Sequence, residues 1–252
     1  VHTFHQPYGQ LPPLTTEKFE LTDTAKRLRR YYEDFVPSNQ RPPTNLEITR
    51  DLGINDKEAW DAMDELYRGV QLMFIPGTES PIKMPPFAFY PTRHRITLAD
   101  GRAFWAGCAG ESCAFSMQFP GQLVTVESSC PCCWEPIVST WEDGELKSTS
   151  SEGILIHVGL HPDEWEKNML YVCESINFFV NQEHVERWWK EVPEQRGATL
   201  PIENGQQWVA GVAKVRYWDY DRPSDGMRGA STTGSTVAGF RDNFGADVTN
   251  WL

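Results

Sequence analysis

The chain of 252 residues carries 23 lysines and arginines against 35 aspartates and glutamates, a formal net charge of -12. That balance excludes a broad nucleic-acid surface, which needs clustered basic groups to neutralise phosphates, and no run of about 18 apolar residues is present to span a bilayer. Six cysteines are too few for a disulfide-built scaffold at this length, and their uneven clustering suits reduced thiols, so a cytoplasmic location is expected.

Residues 1–19 show no periodicity and read as an arm. They lack the basic-then-apolar order of a signal peptide; because the chain begins with Val1, an upstream piece is expected. From Leu21 the residues Ala25, Leu28, Tyr32 and Phe35 recur at helical spacing, with Lys26, Arg27, Arg29 and Arg30 on the other side. Thr44 with Glu47, and Asn55 with Glu58, have the spacing of capping boxes and predict two further helices. LMFIPGTESPIKMPPFAF then reads as a two-stranded wing turning at Pro76-Gly77, which makes residues 20–90 a winged-helix-like unit. DNA binding does not follow, because the last helix of the three carries Asp56, Glu58, Asp61, Asp64 and Glu65 where phosphate contacts need lysine or arginine.

The next part, 91–222, reads as a core of strands with flanking helices. RITL and RAFWAG form a hairpin around Ala99-Asp100-Gly101; LVTVESSC, EPIVSTW with its Glu142-Asp143-Gly144 turn, ELKSTSS and ILIHVGL continue with strand alternation and turn residues. A short helix over CAGESCAFSMQ, stopped by Pro120-Gly121, interrupts them. MLYVCESINFFV has the β-branched and aromatic content of a strand, and QEHVERWWKEV has helical spacing. Residues 223–252 open with a Gly/Ser/Thr-rich stretch expected to loop over the surface. The fold class is therefore α+β: a three-helix winged-helix-like unit, then a mixed or antiparallel sheet core with flanking helices.

Chemistry in this chain rests on thiols. There is no G-x-S-x-G, no Walker-type glycine loop and no G-x-G-x-x-G, and the His157/His161 spacing outside a helix is not a ligand pattern. Cys108 stands where a strand runs into a short helix, a place where exposed backbone N–H groups would lower a thiol's pKa. Glu111, three residues on, shares its helix face and can take and return a proton. Strand alternation would set Cys173, Ser175 and Asn177 on one face. Taken singly, Cys173 reads as a small buried hydrophobe, Glu111 as a solvated acid and Cys113 as a packed helix residue. The CPCC run invites a zinc site together with Cys108 and Cys113, but adjacent Cys132 and Cys133 fit the paired knuckles of structural zinc poorly.

Three ordered stretches, GRAFWAGCAGESCAFSMQFPG, VTVESSC and YVCESINFF, resemble the organomercurial (alkylmercury) lyases over about residues 96–190. The resemblance implies an alkylmercury lyase-like α+β fold and protonolysis of a carbon-mercury bond, giving hydrocarbon and mercury(II). It implies Cys108 and Cys173 as catalytic, mercury-holding cysteines, with Glu111 standing where the family has its aspartate. Cys130 would match a structurally important cysteine, while Cys113, Cys132 and Cys133 have no counterpart. No cofactor is implied beyond mercury(II) as bound product and external thiols for its release. The implied partners are a small organometallic or organic substrate, no nucleic acid and no membrane, with mercury(II) handed to a mercuric reductase or a low-molecular-weight thiol.

Two other readings stay open at this level. A protein of the same fold could act on another carbon-heteroatom bond in secondary metabolism, with Glu111 as acid or base; a non-enzymatic protein could trap soft metal ions with its cysteine cluster.

Overall fold

Thr22 starts the first helix, α1 (Asp23–Asn39), by accepting a hydrogen bond from the Ala25 N–H at 3.2 Å. The computed structural model describes residues 20–69, 71–75, 77–167, 169–208 and 236–252; the expected arm over 1–19 lies outside the described residues. Both capping boxes form, at Thr44/Glu47 before α2 (Asn45–Leu52) and at Asn55/Glu58 before α3 (Asp56–Arg68). Each satisfies two N–H groups that a helix start leaves without intrahelical partners. Glu65 of α3 accepts from both the Thr22 N–H and its hydroxyl, locking α3 to the start of α1. Leu28, Tyr32 and Val36 then bury against Ala59, Ala62, Met63 and Leu66.

Glu33 is an exception on the buried side of α1. Burial drives its carboxyl up to about 8, against the pull of the Arg29 charge and a hydrogen bond with Gln118. Between the ordinary carboxyl range and pH 8 the folded chain therefore holds one more proton than the unfolded chain, so stability falls as pH rises through that window. Glu33→Gln should remove this loss, stabilising the protein by roughly 2–4 kcal/mol at pH 8 and by about 1 kcal/mol or less at pH 5. Urea denaturation at the two pH values checks it; an equal effect at both would show that ionisation of Glu33 is not involved.

Strands β1 (Met73–Phe74) and β2 (Pro81–Met84) make the expected wing. The wing is continuous with the main sheet through β3 (Phe87–Ala88), whose other edge pairs with β5 (Ala103–Ala106). With β4 (His94–Leu98), β6 (Val124–Ser129), β7 (Pro136–Glu142) and β8 (Glu145–Thr149) this gives an eight-stranded antiparallel sheet in the order β1-β2-β3-β5-β4-β6-β7-β8. A second antiparallel sheet orders β10 (Ile176–Phe179), β9 (Leu155–Val158) and β11 (Ala198–Pro201). The fold is thus α+β with the N-terminal helices leading into antiparallel sheet, as the sequence predicts.

Between the two sheets lies α4 (Ala109–Ala114), buried along its whole length and packed against β10 and against α7 (Gly205–Trp208). Among the described residues the remaining α-helices are α5 (Met169–Glu174), α6 (Gln182–Glu191) and α8 (Val237–Phe244). The expected surface loop over 224–240 lies outside the described residues except at its end, and there the expectation fails. Val237–Phe244 is a helix capped by Thr236, and Phe240 and Phe244 pack on Trp208. Glycine and threonine content hid two phenylalanines at i, i+4 spacing, which is the helical signal.

Candidate active site

Cys108 leaves β5 in an extended conformation and caps α4, its sulfur accepting a hydrogen bond from the Glu111 N–H at 3.3 Å. The Ser112 hydroxyl donates to the Cys108 carbonyl at 2.8 Å and fixes the first turn. The Glu111 N–H contact does not outweigh burial, and the expected lowering of the thiol's pKa does not occur. Burial pushes the Cys108 thiol well up, helped by a hydrogen bond with Cys173 and by the negative charge of Glu111 and Cys173, with Lys83 opposing. Burial therefore favours the thiol over the thiolate at Cys108.

Cys173 reaches the site from a helix rather than from the expected strand: α5 (Met169–Glu174) ends one residue before β10 begins. The Ser175 N–H bonds back to the Tyr171 carbonyl, its hydroxyl donates to Val172 O at 2.7 Å, and Asn177 donates to Glu174 O at 2.7 Å. These bonds close the last helical turn, so Cys173, Ser175 and Asn177 do not share a strand face. Tyr90, just after β3, donates to the Glu174 carboxylate at 2.6 Å and pins this turn from the opposite side.

The outcome is one buried triplet. The sulfurs of Cys108 and Cys173 and a carboxylate oxygen of Glu111 all lie within 4.8 Å of one another, and each of the three residues is about 95 % buried or more. Two metal–thiolate bonds of about 2.3 Å in line span roughly 4.6 Å, so this spacing suits two sulfurs sharing one soft ion.

A fourth member was missed by sequence reasoning. Lys83 of β2 is fully buried, donates to the Gly107 carbonyl at 3.0 Å and stands 3.5 Å from the Glu111 carboxylate. Burial alone would drive its ammonium towards the neutral form, but the negative charge offered by Cys173, Glu111 and Cys108 outweighs that and holds its proton affinity well above that of an ordinary lysine. The signal was a lone lysine inside PIKMPPFAF, legible only once β2 is known to be interior to the sheet. Gly107 completes the fit: a Cβ there would fall 1.7 Å from Lys83 Cε and 2.1 Å from Glu111 Oε2, both immobilised by burial.

Of the other cysteines, Cys113 donates to the Ala109 carbonyl at 3.2 Å and is packed inside the core, as its helical position suggests. Cys130, Cys132 and Cys133 lie at the end of β6 and are not part of the triplet. His94 and His157 are buried and neutral, burial drawing their imidazoles down to about 3 and about 4, so neither is a ready proton donor at neutral pH.

A buried pair of thiols with a carboxylate and its counter-charge, set between antiparallel sheets, has the donor chemistry for a soft metal and for moving one proton. The sequence profile of the alkylmercury lyase (MerB) family matches residues 87–213, half of the chain and every member of the triplet, and the chain belongs to that family. Among solved structures it is similar to the mercury-bound form of MerB2, at 21 % identity with a TM-score of 0.62, covering 78 % of this chain and 93 % of the other. At that identity the likeness speaks for the fold. No curated protein matches the chain. Among the described residues, no helix is long and apolar enough to cross a membrane.

Proposed function

We propose that this protein is an organomercurial lyase that cleaves a carbon-mercury bond by protonolysis, with Cys108 and Cys173 as the mercury-binding groups and Glu111 as the proton carrier. The observation that carries the reading is the buried triplet, three donors of the needed kinds within 4.8 Å inside the family-matched region.

The steps balance as follows. An alkyl- or arylmercury cation arrives as its adduct with an external thiol; the first cysteine sulfur displaces that thiol, and its own proton leaves with the departing thiolate. The second cysteine sulfur adds to mercury, and its proton passes to the ionised Glu111. With two thiolates donating into mercury, electron density rises at the bound carbon. Glu111 then delivers its proton there, the carbon-mercury bond breaks, and hydrocarbon leaves. Mercury(II) stays on Cys108 and Cys173 until external thiols, or a mercuric reductase, remove it. No redox partner is needed, and the carboxylate returns to its ionised form.

Lys83 gives Glu111 a reason to be ionised in a pocket that would otherwise favour the neutral acid. It also offsets the charge of a mercury held by two thiolates beside a carboxylate. Glutamate instead of aspartate matches this arrangement, because the longer arm reaches the ammonium across Gly107.

The test is hydrocarbon release from phenylmercury and methylmercury by the purified chain in excess thiol, followed by gas chromatography. Multiple turnovers are expected, and none after Cys108→Ala. Failure to release benzene or methane with mercury demonstrably bound would remove the proposal.

A further inference from the structure

Away from the triplet, the end of β6 turns back on itself over Cys130-Pro131-Cys132-Cys133-Trp134. The Trp134 N–H donates to the Cys130 carbonyl at 2.8 Å, and the Cys130 N–H donates to Glu135 O at 3.0 Å. Trp134 takes a left-handed conformation with φ 63°, and the Glu135 N–H donates to the Cys133 sulfur. The residue pair that matters is thus Cys130 and Cys133, a C-x-x-C knuckle with backbone N–H groups inside its turn, and Cys132 merely intervenes. The third donor comes from α6, whose cap at Asn181 orients His184 towards the knuckle. Its Nδ1 lies 3.7 Å from the Cys130 sulfur, and the two sulfurs and this nitrogen fall within 4.8 Å of one another.

We propose that Cys130, Cys133 and His184 form a second metal site, distinct from the catalytic triplet, that binds a tetrahedral thiophilic divalent cation, zinc in the first instance. Bonds of about 2.3 Å to sulfur and about 2.05 Å to nitrogen at tetrahedral angles set the donors roughly 3.6 Å apart, close to the sulfur–nitrogen distance found here. A two-coordinate ion would need them further apart. Two thiolates and a neutral imidazole make the complex with a divalent ion electroneutral, which suits a site where Cys130 is buried and the other two ligands are half-buried. Binding releases the two thiol protons to solvent, and water fills the fourth position on the half-exposed side. The Arg93 guanidinium, over the Trp134 ring at 4.7 Å and 3.3 Å from the Ser129 hydroxyl, places a positive charge beside the knuckle. Such a site would tie the β6–β7 turn to α6.

Cobalt(II) titration of the reduced, metal-stripped full chain tests this independently of any lyase activity. One equivalent should give the sulfur-to-cobalt charge-transfer band and the intense visible bands of tetrahedral cobalt, displaced by one equivalent of zinc. The spectrum should persist in Cys108→Ala/Cys173→Ala. Cys133→Ser and His184→Ala, both at half-exposed positions, should each weaken zinc binding at least tenfold while circular dichroism stays native. The proposal is overturned if no tetrahedral spectrum appears in the fully reduced chain, or if it follows Cys108 and Cys173 instead.

Discussion

Cys173→Ser should bind one equivalent of an alkylmercury cation and release no hydrocarbon, a fall in turnover of more than about 10³-fold. The remaining thiol at Cys108 still captures mercury, since one soft sulfur suffices for that. In the proposed mechanism cleavage needs a second thiolate to push electron density to carbon and a second thiol proton to reach Glu111, and a serine hydroxyl supplies neither at neutral pH. The substitution is nearly isosteric, so the helical turn closed by Ser175 and Asn177 stays intact. Mass spectrometry of the denaturation-resistant adduct, run beside gas chromatography of the headspace, separates capture from cleavage. Hydrocarbon release at the wild-type rate would assign cleavage to Cys108 and Glu111 alone.

Lys83→Met should cost about 10²–10⁴-fold in turnover at pH 7, the range associated with losing a proton-transfer group. Lys83 itself carries no proton to carbon in this scheme; it acts through Glu111. Removing the ammonium leaves a buried carboxylate without its charge partner 3.5 Å away, a state that costs roughly 3–5 kcal/mol if the charge persists. The carboxyl escapes that cost by taking up a proton, and a neutral Glu111 cannot accept one from a cysteine. The sign with pH follows: the variant should regain activity as pH rises, because alkali restores the carboxylate. A merely structural role for Lys83 would lower activity evenly at every pH. A double-mutant cycle with Glu111→Gln measures the same coupling in stability, since Lys83→Met should be far less destabilising once residue 111 is already neutral.

Sequence reading went furthest where the signals are local. The two capping boxes, the helical spacing of α1, the turn at Asp100-Gly101 and the alternation of β6 and β7 are set by residues within a few positions of one another, and each formed as predicted. It went wrong at 169–174, where Tyr171, Val172 and Cys173 have strand composition. There the decision was made by backbone and side-chain hydrogen bonds from Ser175 and Asn177, together with Tyr90 reaching Glu174 from 84 residues away. The expected pKa of Cys108 failed for a similar reason: position at a helix start is visible in sequence, but full burial between two sheets is not, and burial won.

The chain by itself pointed to thiols as the groups for the proposed chemistry, set Cys108 and Glu111 on one helical turn, and carried the ordered motifs of the alkylmercury lyase family to which it belongs. Only the tertiary structure decided that Cys173 meets them, that Lys83 arrives from β2 as the counter-charge, and that His184 faces Cys130 and Cys133. Each of these meetings joins residues 28 to 65 positions apart, brought together by the strand pairing β2-β3-β5 and by packing α4 and α6 against β10. Periodicity reports which face of an element is apolar; it holds no information about which other face that one will cover.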